Sequence, residues 1–370
     1  MRRRKFLKMT GIAALAADVG ALPMSAADGE EAGAKETLDA LLKKNREHER
    51  HSSPTGRNNH VPMALIALYR LGAAPARMQR YADGIDLSPG SPPAMAERIS
   101  PNSWRDSLGR GSFAAYVQCF DGWIKASSSE AVLKEAVPVL MKGSSSVAYH
   151  ALLRLGYAID YGSQEEMAFS LAYWAAGFYP GPAVDAKAAA VEPDTILADA
   201  VKAASGVRIK QTGTIDGNIR QVYGTREFAS LWRPVRVPDS NPLARISELI
   251  LATFTQSQHF TLLHALTSCQ SLRLVLPYVG DVHESLGGYW HSVVAAYLTV
   301  ACGKFEVGKD TAPDGGFEWA EVIARAAAAE KALEHTVKLT YSCRMEFEHY
   351  KRMEYRALAI RELKRPSPFV

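Results

Sequence analysis

The sequence predicts an all-α protein, built as a single large helical domain. Three observations lead there. Apolar residues recur three and four positions apart along most of the 370 residues, the spacing of helices that bury one face. Strand signals are nearly absent, with 206–214 and 235–237 as the candidates. The composition is 47% hydrophobic and 22% charged, which supplies a sizeable core and argues against disorder.

Taken in order, residues 1–27 read as a targeting segment rather than as part of the fold. Arg3-Arg4-Lys5-Phe6-Leu7-Lys8 resembles the twin-arginine export motif, and an Ala-rich, weakly apolar stretch leads to the small residues Ser25-Ala26-Ala27, where cleavage is expected. Asp18 inside that stretch and Arg2 before the arginine pair depart from the usual pattern. The expectation is a helical domain over 28–370, passed through the twin-arginine export machinery to the periplasm or the cell exterior. That route carries proteins already folded, often with a cofactor in place.

The first amphipathic helix is predicted over 37–48, with Leu38, Leu41 and Leu42 opposite Lys43, Lys44 and Arg46. The next covers 61–71, with Pro62 in its first turn, Asn59 available as a cap and Gly72 as the stop. Helices follow over 113–125, 130–141, 146–160 and 165–178. The run 243–276 reads as two helices or one kinked helix, ended by Pro277 and Gly280. Segments 283–302, 317–332 and 335–363 complete the set. Stretches rich in Pro, Gly or Asp at 86–106, 181–194 and 303–316 are expected as loops.

Several function classes are excluded. A formal charge of +4 with no basic run beyond residue 8 gives no nucleic-acid footprint. No run reaches the roughly 18 apolar residues that a membrane helix needs. There is no GxGxxG opening a βαβ unit, hence no visible flavin or dinucleotide site, and no GxSxG, HExxH or Walker sequence. Cys119, Cys269, Cys302 and Cys343 are far apart without any CxxC, which argues against a zinc ribbon and for buried thiols.

What remains is a set of histidines in apolar helical surroundings: His60 at a helix start, His150 within Val147-Ala148-Tyr149-His150-Ala151, His264 between Leu263 and Ala265, and His335. Neutral imidazoles converging in an apolar bundle are the ligand set of a transition metal such as iron, zinc or copper. Lys338 lies three residues after His335 and therefore on the same helix face; its apolar neighbours would depress the amine pKa. Each residue has a plainer role open to it. His60 suits a surface cap, His150 a hydrogen-bonded core histidine, and Lys338 a side chain reaching for solvent. His259, five residues before His264, falls about 140° away on an ideal helix, which places it at a pocket edge or the surface. Tyr173 and Trp174 suit an aromatic wall for a flat substrate and suit core packing equally well.

The arrangement resembles the questin oxidase-like family. Asn59-His60-Val61-Pro62-Met63-Ala64-Leu65 is similar to its opening motif, and Tyr149-His150-Ala151-Leu152-Leu153-Arg154-Leu155-Gly156 to its second. Leu171-Ala172-Tyr173-Trp174, Phe260-Thr261-Leu262-Leu263-His264 and Glu334-His335-Thr336-Val337-Lys338 resemble the motifs that follow, in consistent order. The resemblance implies an all-helical oxidoreductase that opens anthraquinone-type rings with dioxygen. The reaction is described as a Baeyer–Villiger oxidation with NADPH, or as the work of a non-haem iron held by four histidines and a carboxylated lysine. Carried onto this chain, the ligands are His60, His150, His264, His335 and Lys338, with His259 or His291 able to replace a histidine. An export signal departs from the intracellular members and leaves the substrate, an aromatic or quinone-like molecule, unspecified.

Three functions are therefore expected to compete. The first is a metal-dependent oxygenase, the second a cofactor-independent or NADPH-dependent Baeyer–Villiger oxidase using a histidine base. The third is an exported protein that binds an apolar ligand without turnover.

Overall fold

Sixteen α-helices and no strand occur among the described residues, which in this computed structural model are 28–48, 59–87, 98–182, 188–300, 317–329 and 334–364. The proposed export segment 1–27 and the predicted loop 303–316 lie outside them. The helices are α1 Asp28–Asn45, α2 Val61–Arg70, α3 Pro75–Asp83, α4 Phe113–Ala126, α5 Ser129–Leu140, α6 His150–Tyr161, α7 Gln164–Ala176 and α8 Pro193–Ala203. They continue as α9 Ile215–Tyr223, α10 Arg226–Ala229, α11 Ala244–Ser257, α12 Phe260–Val275, α13 Val282–Val300, α14 Trp319–Ala328, α15 Glu334–Tyr350 and α16 Met353–Lys364. No helix among the described residues is long and apolar enough to cross a membrane.

Local chemistry sets most of the boundaries. Ser112, Ser128, Ser163 and Thr225 each accept a backbone N–H at the start of α4, α5, α7 and α10, satisfying donors that the helix leaves orphaned. Asn59 caps α2 through its side-chain oxygen, which accepts from Val61 N–H at 3.0 Å.

The run 243–276, expected as two helices or one kinked helix, is two, because Gln258 turns left-handed (φ 47°) between α11 and α12. Three departures from the sequence expectation have physical causes. The run 335–363 is also two, broken where Lys351 adopts φ 57°. Neither residue type advertises that conformation. The strand candidate 206–214 is irregular, and Val235 makes a single isolated bridge to Val191. Helices α3, α8, α9 and α10 were unanticipated, although Pro75 and Pro193 at first-turn positions mark two of the starts.

The helices share one hydrophobic core. Its tightest seam lies between α6 and α12. A Cβ built on Gly156 would stand 2.3 Å from Ser271 Cβ and 2.5 Å from Ser271 Cα. Glycine in mid-helix costs about 1 kcal/mol against alanine, and here it permits a backbone approach that no side chain allows. Because His150 and Gly156 lie on α6 as His264 and Ser271 lie on α12, this seam also sets how near the two histidines come. Cys119, Cys269 and Cys343 are buried free thiols, as expected; Cys302 lies outside the described residues.

Candidate metal centre

Four helix beginnings meet in the core, each bringing one imidazole. His60 is the N-cap of α2, His150 opens α6, His264 sits in the second turn of α12 and His335 is the second residue of α15. The His60 and His150 rings stack with centroids 4.5 Å apart. His335 meets His60 edge-on at 4.9 Å, and His264 meets His150 at 4.7 Å and His335 at 5.5 Å. Ligand nitrogens of His60, His150 and His335 all lie within 4.8 Å of one another, a grouping that suits a metal ion.

The tautomers follow from the partners. His150 Nδ1–H donates to the Val147 carbonyl at 2.7 Å, and His264 Nδ1–H to the Phe260 carbonyl at 2.9 Å. His60 Nδ1–H donates to the Glu334 carboxylate at 2.9 Å. Each of these rings therefore presents a bare Nε2, the arrangement that outer hydrogen bonds impose on metal-binding histidines. His60 Nε2 and His150 Nε2 stand 2.6 Å apart, so close that a cation, either a shared proton or a metal ion, must offset the repulsion of their lone pairs. His264 Nε2 and both ring nitrogens of His335 are buried without a hydrogen-bond partner, a costly state for polar atoms unless something else satisfies them.

A proton is disfavoured on three of the four rings. Burial, reinforced by the charges of His60 and His264, holds His150 well below the usual imidazole range. Burial and the nearby Lys338 charge do the same to His335. His264 is pushed down to about 3 by burial and then by Lys338.

Lys338 is 2% exposed, and its charge bears on His150, His264 and His335 alike. It therefore belongs to the cluster rather than reaching for solvent. Burial pulls its amine down to about 8, partly opposed by the Glu334 carboxylate. Phe260 closes one side, its ring 4.6 Å from His264 and 4.9 Å from His335. His60 is the partly exposed member, so the cluster meets solvent on the His60–Glu334 side.

The other sequence candidates fall elsewhere. His259 is exposed and is the N-cap of α12, its Nδ1 accepting from Thr261 N–H at 3.2 Å. Of the two places expected for it, a pocket edge or the surface, it takes the surface, and there it caps a helix. His291 is buried under Trp232 at 4.1 Å and donates to the Arg233 carbonyl, as a core histidine does. Trp174 is fully buried and donates to the Gly143 carbonyl, and Tyr173 lies beneath the Arg154 guanidinium at 5.5 Å. These contacts are those of core packing rather than of a pocket wall. A groove of about 440 Å³ between Arg245, Glu248, Tyr350 and Tyr355 lies near the far end of α15, about 22 Å of helix from His335, and so is not the entrance to the cluster.

Sequence reasoning missed Phe260 and the carbonyls of Val147 and Phe260. The Glu334 carboxylate, next to His335 in sequence, bonds His60 and stands 3.8 Å from His335 Nδ1. Backbone acceptors leave no trace in side-chain identity, so no residue type points to them.

The fold and the site together define a helical protein with a buried three-histidine centre suited to a metal ion. The questin oxidase-like family matches residues 57–343, and the chain belongs to that family. Baeyer-Villiger oxidase AgnL3 of Paecilomyces divaricatus is similar, 28% identical over 177 residues, which is 44% of this chain and 38% of the relative. The chain thus spans well under half the length of the curated relative that it matches.

Proposed function

We propose that the protein is an iron-dependent oxygenase that cleaves a carbon–carbon bond or ring of an aromatic, quinone-like substrate. His60, His150, His264, His335 and Lys338 would hold the metal. The observation that carries the reading is the set of buried ring nitrogens without partners beside two opposed Nε2 atoms. Iron held there would supply the redox chemistry with dioxygen that no side chain of the site offers.

The chain's own groups prepare the site. The Val147 and Phe260 carbonyls keep the His150 and His264 protons on Nδ1. Glu334 does the same for His60 and adds negative charge at the rim. The Lys338 amine, brought down to about 8, is neutral often enough near neutral pH to attack carbon dioxide. A nitrogen–carbon bond forms, the amine loses a proton, and the product is an anionic oxygen ligand resembling a carboxylate. Anions suit this place, because the helix starts carry partial positive charge; a phenolate-like substrate would benefit from the same field. Half-buried Phe260, packed on His264 and His335, and the core around it limit the access of water.

The relative's name favours a second reading, a Baeyer–Villiger oxidation with or without NADPH, in which an imidazole acts as base. Metal analysis and dioxygen uptake separate the two. For the first reading, protein reconstituted with iron should hold close to one metal per chain and consume dioxygen with members of a quinone panel. Metal content that stays far below one after reconstitution sinks it, and turnover that survives exhaustive chelation transfers the case to the second. No dioxygen uptake in either state would leave ligand binding without turnover.

Export by a twin-arginine route is proposed from the Arg3-Arg4 motif. Residues 1–27 fused to a folded reporter should carry it out of the cytoplasm, and changing both arginines to lysine should retain it there. A reporter that stays inside with the intact segment refutes this.

A further inference from the structure

His150 is preceded by an uncommon backbone feature. Val147, Ala148 and Tyr149 all have positive φ, at 54°, 55° and 65°. Left-handed geometry costs L-residues roughly 1–2 kcal/mol each and is normally visited singly; a β-branched residue such as Val147 is especially unsuited to it. Three in succession make a single left-handed turn with no glycine in it. Such strain persists only where the surroundings over-determine the backbone, and it concentrates at functional sites.

The surroundings here are three consecutive buried serines just upstream, each tied to a different part of the fold. Ser144 Oγ–H donates to Ser292 Oγ on α13 at 3.3 Å, and Ser145 Oγ pairs with Tyr223 OH of α9 at 2.9 Å. Ser146 Oγ both accepts from Tyr179 N–H at 2.9 Å and donates to the Tyr179 carbonyl at 3.3 Å. Trp174 adds a bond to the Gly143 carbonyl. The consequence of the turn is specific. It folds the Val147 carbonyl back so that it accepts from both His150 N–H, at 3.1 Å, and His150 Nδ1–H, at 2.7 Å.

We propose that the serine-clamped left-handed turn 147–149 is a positioning device for His150, holding its proton on Nδ1 and aiming Nε2 at the centre shared with His60. A right-handed continuation of α6 would carry the Val147 carbonyl along the helix axis and leave Nδ1 to the carbonyl four residues back, as His264 Nδ1 is left to Phe260 in α12; the turn substitutes the carbonyl three residues back, at 2.7 Å, and so sets a different ring direction. Ser146 is then a positioning residue that acts through the turn. This inference rests on the metal-centre reading for its purpose, yet the tautomer it predicts belongs to the metal-free protein.

The test uses the full chain. In the metal-free wild type, nitrogen NMR of the ring of His150 should show one tautomer, protonated at Nδ1. Ser146→Ala, which cuts both bonds to Tyr179, should give a mixture of tautomers. It should also weaken cobalt(II) binding by about tenfold, the usual scale for losing support behind a ligand, with a changed cobalt visible spectrum. Adding Ala148→Gly should restore tautomer and affinity, because glycine accepts positive φ without strain and needs less clamping. A merely structural serine would lower the melting temperature and leave tautomer and spectrum alone, and that result overturns the proposal. Should Ser146→Ala fail to fold, Ser145→Ala cuts the Tyr223 bond and is judged by the same readouts. If wild type binds no cobalt while its His150 tautomer still responds to Ser146→Ala, the turn stands and the metal-centre reading falls.

Discussion

Replacing His150 with alanine is expected to cost the protein most of its metal affinity while sparing the metal-free fold. A site whose whole binding energy is of order 10–16 kcal/mol over five ligands loses about 2–3 kcal/mol with one of them, up to about a hundredfold. The effect can be read as stability. At a metal concentration 1,000 times its Kd, wild type gains about 4 kcal/mol of folding free energy, whereas the variant gains about 1.4 kcal/mol at the same concentration. Without metal the variant should still fold but melt somewhat lower, because it loses a buried ring and its bond to the Val147 carbonyl, and the metal-induced rise is read against that baseline. Thermal melts with and without iron(II) or zinc check both halves. An unchanged metal-induced rise in melting temperature would take His150 out of the ligand set. His335→Ala should behave alike, with both of that ring's nitrogens buried and unpartnered at present.

The second large effect lies at the α6–α12 seam. Gly156→Ala places a Cβ at 2.3 Å from Ser271 Cβ and 2.5 Å from Ser271 Cα, so one of the helices must move. Overpacking of this kind costs typically 1–3 kcal/mol and occasionally more; a contact with backbone puts this case at the upper end, about 3 kcal/mol. The urea midpoint should fall with an unchanged slope. Ser271→Gly in the same chain should rescue only part of the loss, because the Ser271 Cα remains 2.5 Å from the new methyl carbon. Since the seam also sets the 4.7 Å approach of His150 to His264, metal affinity should drop along with stability. A Gly156→Ala protein as stable as wild type would show that the helices separate freely and that the seam does not position the histidines.

The two predictions probe different layers of the same arrangement. Buried ion pairs surround the site without entering it. Glu166 joins Arg46 at 2.8 Å, Arg273 joins Glu346 at 2.7 Å, and Arg70 and Tyr341 share Asp160. They tie α1 to α7, α12 to α15 and α2 to α6 and α15. Breaking such a pair leaves a buried charge uncompensated and is costly, so they hold in register the helix starts from which the ligands project.

Much of this was legible in the amino-acid sequence. The helical class, most helix starts and the neutral histidines in apolar settings are local properties, written in apolar spacing, capping residues and prolines. Serine at 112, 128 and 163 and proline at 62 do their work within one turn of where they stand, so a sequence reading can find them. The left-handed breaks at Gln258 and Lys351, and the turn at 147–149, were not legible. Non-glycine residues take up that geometry only when packing compels it, and packing is not a local property.

The choice among histidines belonged to the tertiary structure as well. His259, His264 and His291 all sit in helical, partly apolar sequence, yet one caps a helix, one joins the cluster and one packs beneath a tryptophan. Lys338 alone would be read as a lysine reaching for water; 2% exposed, with its charge felt by three imidazoles, it is a buried amine. The sequence by itself determined that this chain folds as helices and which polar residues those helices would carry inward. Only the tertiary structure decided that side chains from positions 60 to 338 meet, because their meeting depends on contacts between segments far apart in the chain. The Gly156 seam, the clamped turn before His150 and the carbonyls that set the tautomers have no signature at any single position.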